Sequence, residues 1–436
     1  MSKERFNLFS LTFKRSTGRS GRALLVWGLL VVAANLRPSL TGVGPLLDRV
    51  QAELELAPAV AGLLSTLPLL AFAVISPVVP RLAAQWGPER LLWAALVVLT
   101  LGIVVRWVPT AIGLFAGTVL IGAGIAVGNV LLPSLIKRDF PTRVGLLTSA
   151  YATVMGAVAA VASGVAVPIS QVAPGGWSTA LGCWIVLALL AVVLWLPQLR
   201  TSRPASHAIR RHRLPWGSAL AWAVTAFMGL QSLGFYVVVT WLPQVFQDSG
   251  VSAAEAGWLL FLFQAVAVLT SLAVPAALRW ARDQRAVATV SSVVLLAGYL
   301  GLLAAPGWAL LWSVVLGLGG GACLVLALAF LSLRAQDATV AGALSAMAQS
   351  IGYLLAAAGP VIFGLLHTVS SGWQAPIILM CVAAVGQVIV AMVAGRGTVA
   401  PADDQTPQRA PSSAQIVLLR LGNEPGTSSN WGEPRI

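Results

Sequence analysis

Charge is what this sequence most lacks. Only 9% of its 436 residues are Asp, Glu, Lys or Arg, and the acids number 14. Soluble globular domains carry roughly 25% charged residues, so a water-soluble enzyme is excluded. So is a disordered chain, which needs low hydrophobicity. Cysteine is also scarce. Cys183, Cys323 and Cys381 lie inside apolar runs without paired spacing, which excludes a disulfide scaffold and a cysteine metal cluster. No Walker loop, HExxH, G-x-S-x-G or His/Cys cluster occurs, so no enzyme, metal or cofactor is expected. The first apolar run begins near Ala23 and is too long for the core of a cleavable leader, so none is expected.

The net charge of +13 does not indicate a nucleic-acid partner. The 27 Lys and Arg fall in short clusters between apolar runs, without the aromatic interleaving of a nucleic-acid face.

What the sequence has is apolar length, with 58% hydrophobic residues. A bilayer core is crossed by about 20 apolar residues in a helix. Twelve such runs occur, at about 23–47, 57–79, 90–108, 112–136, 145–172, 177–197, 216–246, 255–278, 286–305, 308–333, 340–368 and 373–395. The fold class is therefore an all-α, multi-pass membrane protein with twelve transmembrane helices. Pro38, Pro68, Pro77, Pro133, Pro275 and Pro360 lie inside these runs and are expected to kink them.

Lys and Arg accumulate on the cytoplasmic side of a membrane protein. Of the 27, all but Arg37, Arg49 and Arg106 fall in the two terminal segments and the even-numbered connections. The loops of the opposite side have only Arg49 and Arg106, with the acids Asp48, Glu53, Glu55, Asp248 and Glu255. Both termini are thus expected in the cytoplasm, across a cytoplasmic (inner) membrane. The longest basic connection, 198–215, divides the chain into bundles 23–197 and 216–395. Residues 1–22 form a basic segment, and 396–436 form a polar tail expected to be disordered. The linker's basic cluster suits anionic lipid headgroups.

The halves repeat. At an offset of 195, Ala61–Gly62 matches Ala256–Gly257, Ser76 matches Ser271, Val79–Pro80 matches Val274–Pro275, and Arg90 matches Arg285. Parallel repeats of this kind belong to transporters with alternating access.

Twelve helices split six and six by a basic loop resemble the major facilitator superfamily. Its loop signature between helices two and three, G-x-L-a-D-r-x-G-r-k, is echoed at residues 80–90, which keep Leu82, Gly87 and Arg90. Pro80 replaces the first glycine, and Ala84 replaces the acid. Gly352, Gly359–Pro360 and Gly364 resemble the glycine pattern that packs helix eleven across the domain interface. Two further stretches, Asn35 to Pro45 in helix one and Gly128 to Phe140 in helix four, look like the cyanate transporter and 2-nitroimidazole transporter family. That resemblance implies two six-helix bundles that move a cyanate-like anion or a nitroimidazole-like heterocycle.

Arg37 is the candidate centre of the site. It lies some 15 residues beyond Arg22, or ~22 Å into a core ~30 Å thick. A charge there is expensive unless paired or hydrated, and marks a substrate path by default. No Asp or Glu stands at matching depth in any run. An unpaired guanidinium suits an anion or an oxygen-rich polar group. Asn35, Thr41, Asn129, Gln231, Tyr236, Gln264, Gln349 and Tyr353 are the polar groups available to complete a substrate-binding site; bonding between helices is the competing use of each. Trp241 is a further candidate lining residue. Trp107, Trp177, Trp216, Trp308 and Trp373 stand at run ends, as in an interfacial belt.

The reading is a secondary transporter, working as a monomer, for a small polar or anionic solute. The missing intramembrane acid argues against a carboxylate relay, with His367 a poor substitute; a coupling proton would have to travel with an anionic substrate, and a uniporter and an exchanger are the alternatives. The alternatives are a broad-specificity drug exporter of the same fold and a non-transporting solute sensor.

Overall fold

The structure, a computed structural model, describes residues 19–140, 142–201, 215–280, 284–336 and 338–395. The expected basic segment 1–22 and linker 198–215 lie mostly outside these residues, and the tail 396–436 lies wholly outside them. Among the described residues there are twelve membrane-length apolar helices: Ala23–Leu54, Pro58–Ile75, Pro88–Trp107, Ala111–Asp139, Leu146–Val172, Gly176–Leu199, Ala219–Asp248, Ala253–Leu278, Gln284–Ala304, Ala309–Leu331, Ala343–Ser370 and Gln374–Ala394. They are the first to twelfth spans below. One membrane face carries Asp48, Asp248 and Glu255, and is called the acidic end; the other carries Arg90, Lys137 and Arg138, and is called the basic end.

The first span runs seven residues past its expected end. Leu47–Leu54 is an amphipathic helix that buries Leu47 and Val50 and turns Asp48, Arg49 and Glu53 outward. A search for apolar runs stops at the first charges, but one apolar stripe is enough to hold a helix against its neighbours.

The prolines act unevenly. The first span breaks at Leu36–Arg37, before a single turn Pro38–Thr41 and a 3₁₀ turn Gly44–Leu46. Pro77 lies in the turn that separates Pro58–Ile75 from a short helix, Val79–Trp86. Pro68, Pro133, Pro275 and Pro360 sit inside continuous helices. The sixth span is also broken, between Gly182 and Ile185, with no proline at the break.

These breaks explain a charge that the sequence places wrongly. Arg106 reads as a loop residue, but it is only 1% exposed. Its guanidinium donates to Ser39 O at 2.6 Å and Leu181 O at 3.4 Å, one carbonyl from each broken span. A broken helix leaves carbonyls without an amide partner, and in an apolar layer these require a donor. Arg37 is therefore not the sole buried charge.

Spans one to six pack mainly on one another, as do spans seven to twelve. The halves meet where the second span lies on the eleventh and the fifth on the eighth, with the 3₁₀ turn of the first against the seventh. The loop after the second span lacks the signature acid at Ala84. A charge pair forms instead inside the first half, where Arg138 donates to buried Glu89 at 2.6 Å.

The glycines of the eleventh span divide their work. A Cβ at Gly364 would lie 2.7 Å from Pro58 O, across the seam between halves, as expected. Gly352 and Gly359 instead face Gly229 and Leu233 of the seventh span, in their own half.

Candidate functional site

Arg37 sits between the two helical pieces of the first span, with φ −127° and ψ −37°. It is half-buried. Pro38 disfavours helical geometry in the residue before it, and this sets the break and directs Arg37 out of the helix. Its Cζ stands 4.8 Å from the Phe235 ring centroid and 5.8 Å from that of Tyr236, both on the seventh span. Among the described residues, no carboxylate pairs with it and no group accepts a hydrogen bond from it. Aromatic faces stabilise a cation without consuming its donors. The guanidinium is thus held in place with its N–H groups unspent.

Two of the four tyrosines stand by it, Tyr236 and Tyr353. Tyr353 of the eleventh span is within electrostatic range of Arg37 and Tyr236, and of Tyr151 on the fifth span. Its ring meets Phe72 of the second span edge-on at 5.4 Å. Tyr151, on the fifth span, carries a phenol that the sequence reading passed over, because it lies in a run with no other distinguishing feature. Arginine, phenols and aromatic walls are thus drawn from the first, second, fifth, seventh and eleventh spans.

The other expected residues divide into two groups. Asn129 is half-buried, with its amide outside any hydrogen bond among the described residues. Gln349 is half-buried and donates only to Ser345 Oγ, one turn away, at 2.8 Å. Both retain capacity for a ligand.

The remainder are committed to the protein. Asn35 Nδ2 donates to Val31 O at 2.8 Å and Leu187 O at 3.2 Å, tying the first span to the sixth. Thr41 Oγ1 donates to Ala159 O of the fifth span at 2.9 Å. Gln231 Nε2 donates to Ser232 Oγ at 2.8 Å and approaches Met228 Sδ at 3.6 Å. Gln264 Nε2 donates to Ser163 Oγ at 2.5 Å and Ala159 O at 3.3 Å. Trp241 is fully buried and donates to Pro360 O at 2.9 Å. Of the belt tryptophans, Trp107, Trp216 and Trp308 are exposed. Trp177 and Trp373 turn inward instead and donate to Glu53 and Asp248, each at 2.8 Å.

The halves are joined between Arg37 and the acidic end. Gln51 donates to Gln244 at 3.3 Å, Ser65 and Thr240 share a hydrogen bond of 2.5 Å, and Thr66 donates to Ala357 O at 2.6 Å. Each of these joins one half to the other.

Comparison with known proteins agrees with this architecture. The Major Facilitator Superfamily pattern matches residues 29–357. The chain is 43% identical over 389 residues to the 2-nitroimidazole transporter of Escherichia coli (strain K12), covering 88% of this chain and 99% of that one. It is 28% identical over 380 residues to the cyanate transport protein CynX of the same organism, covering 84% and 95% respectively. Among solved structures, a D-xylose–proton symporter superposes with a TM-score of 0.70 at 15% identity, covering 87% of this chain and all of that one; this shows the fold alone. The chain is a multi-pass membrane protein, and it belongs to the Major Facilitator Superfamily.

Proposed function

We propose that the protein is a secondary transporter for a small planar anion or an oxygen-rich heterocycle, with Arg37 as its anchor. The observation that carries this reading is the half-buried Arg37 guanidinium, set against two adjacent aromatic rings with no partner for its N–H groups among the described residues. A guanidinium fork offers two parallel donors, which match a nitro group, a carboxylate or the ends of a small anion. Half-buried Phe235 and Tyr353 provide faces for a flat ring, backed by buried Tyr236 and Phe72. The names of two relatives, a 2-nitroimidazole transporter and a cyanate transport protein, fall inside this chemical range. The heterocycle fits the aromatic surroundings better than the smaller anion.

Transport proceeds by alternating access. The two halves rock about the Arg37 site, and the observed arrangement is closed at the acidic end. The basic end faces the cytoplasm, as the distribution of Lys and Arg supports, so the acidic end is the outer one and both termini are cytoplasmic. The monomer is the working unit, in a cytoplasmic (inner) membrane, and no chemical step is catalysed. A coupling proton would travel with the substrate, since among the described residues no carboxylate pairs with Arg37.

Purified protein in liposomes tests this directly. Labelled 2-nitroimidazole and cyanate are offered with and without a pH gradient. Saturable accumulation of either one, absent from empty liposomes, supports the reading. Flux equal to that of empty liposomes for both contradicts it, and a broad drug exporter then becomes the better description.

A further inference from the structure

The internal repeat has a counterpart in the seam between the halves. Gly62 of the second span and its repeat mate Gly257 of the eighth both press their backbones against a helix of the opposite half. A Cβ at Gly62 would lie 2.6 Å from Pro360 O, and one at Gly257 would lie 3.1 Å from Ser163 O. Near each glycine, a polar side chain of the same span donates to a carbonyl of the facing helix. Thr66 reaches Ala357 O at 2.6 Å, and Gln264 reaches Ala159 O at 3.3 Å. The contacts of second on eleventh and of eighth on fifth therefore share one plan.

The Gln264 contact carries an additional connection. Gln264 Nε2 donates to Ser163 Oγ at 2.5 Å, and the Ser163 hydroxyl has both Thr41 O, at 3.1 Å, and Ala159 O, at 3.2 Å, within donating reach. Thr41 in turn donates from Oγ1 to Ala159 O at 2.9 Å. The amide and hydroxyl of Thr41 also reach the carbonyl of Arg37, at 3.0 Å and 3.3 Å. Pro45 explains why the Thr41 carbonyl is available, because a proline four residues on has no N–H for it. Thr41, Ala159, Ser163 and Gln264 are all buried. A hydrogen-bonded path thus runs from the backbone of Arg37, through one turn of helix, to a side chain of the opposite half.

We propose that Gln264 is an amide latch on the acidic-end gate, through which the Arg37 site governs its opening. The proposal rests on the alternating-access reading. The gate cannot open without parting the fifth and eighth spans. That leaves the Gln264 amide unpaired in an apolar layer until water reaches it, which is costly. A ligand that shifts Arg37 moves the Pro38–Thr41 turn, and with it the carbonyl that orients Ser163. The closed gate is then held or released according to occupancy.

A cysteine-accessibility experiment decides this without knowledge of the substrate. Cys183, Cys323 and Cys381 are replaced by serine or alanine, and Ala61→Cys is introduced beside Gly62, where the native side chain is fully buried. In detergent, reaction with a water-soluble maleimide reports opening of the gate. Gln264→Leu and Ser163→Ala are each expected to raise the labelling rate at least tenfold, with the affinity for 2-nitroimidazole unchanged within threefold. Saturating 2-nitroimidazole is expected to alter the rate in the parent and not in Gln264→Leu. Unchanged ligand-free labelling in both variants, with or without a lower melting temperature, overturns the latch. Loss of 2-nitroimidazole binding at unchanged labelling also overturns it, in favour of direct contact with the ligand. If 2-nitroimidazole fails to bind the parent, the substrate reading fails, while the ligand-free comparison still decides the latch.

Discussion

Arg37 and Phe235 face one another at 4.8 Å although they belong to different halves of the protein. Rocking the halves must change this contact, so the anchor for a substrate is also a contact that distinguishes one state from the other. A ligand can shift a conformational equilibrium only by binding its states unequally. The Arg37 site meets that condition by its construction.

Phe235 should therefore matter for affinity. Phe235→Leu keeps most of the apolar volume but removes the aromatic face, whose interaction with a cation contributes about 0.5–2 kcal/mol. Affinity for 2-nitroimidazole is expected to fall roughly two- to thirtyfold, as measured by titration calorimetry, with the melting temperature close to that of the parent. Equal affinity in the variant would show that the ring is packing alone.

Tyr151 is the test of what the structure adds to the sequence. Tyr151→Phe removes one hydroxyl and leaves the ring. If the phenol donates to the ligand, the loss is about 1 kcal/mol, or roughly fivefold in affinity. A full-affinity variant would place Tyr151 outside the ligand shell.

Arg106 should behave in the opposite way from Arg37. Arg106→Met strips the donor from Ser39 O and Leu181 O, and an unsatisfied buried group costs about 1–3 kcal/mol. Thermal unfolding in detergent should show a melting temperature several degrees below that of the parent. Arg37→Ala, whose side chain has no such partners, should melt near the parent. Equal melting of all three would mean that the broken spans hold without Arg106.

The seam tests the gate. Gly62→Ala places a methyl group 2.6 Å from the Pro360 carbonyl, nearer than real Cβ contacts come. The second and eleventh spans must part to accept it, so transport in liposomes should drop at least tenfold while the protein remains folded. Gly307→Ala, where nothing lies within 4 Å, is the matched control and should transport normally. Full transport in Gly62→Ala would mean that the closed seam is not an obligatory state.

How much of this was legible beforehand depended on length scale. Span number follows from apolar run length, a property of some twenty residues taken together, and all twelve spans appear in the structure. The placement of Arg37 at a break follows from Pro38, its immediate neighbour. Arg106 was misread because a charge near a run end looks like a loop residue, and its partners are carbonyls freed in two distant helices. Asn35, Thr41 and Gln264 were equally hard to assign. A polar residue in a membrane helix suits a ligand or a neighbouring carbonyl, and its direction depends on the helix rotation, which no local pattern encodes. Tyr151 carries no local signal and gains meaning only through its proximity to Tyr353.

The central claim is that Arg37 holds the substrate, and ligand-induced thermal stabilisation tests it most directly. Purified parent, Arg37→Lys and Arg37→Ala are titrated with 2-nitroimidazole, cyanate and related small anions. At least one ligand should stabilise the parent, stabilise Arg37→Lys less and leave Arg37→Ala unmoved, with the three proteins melting alike when empty. Equal stabilisation of Arg37→Ala and the parent would contradict the account and make the arginine a structural residue.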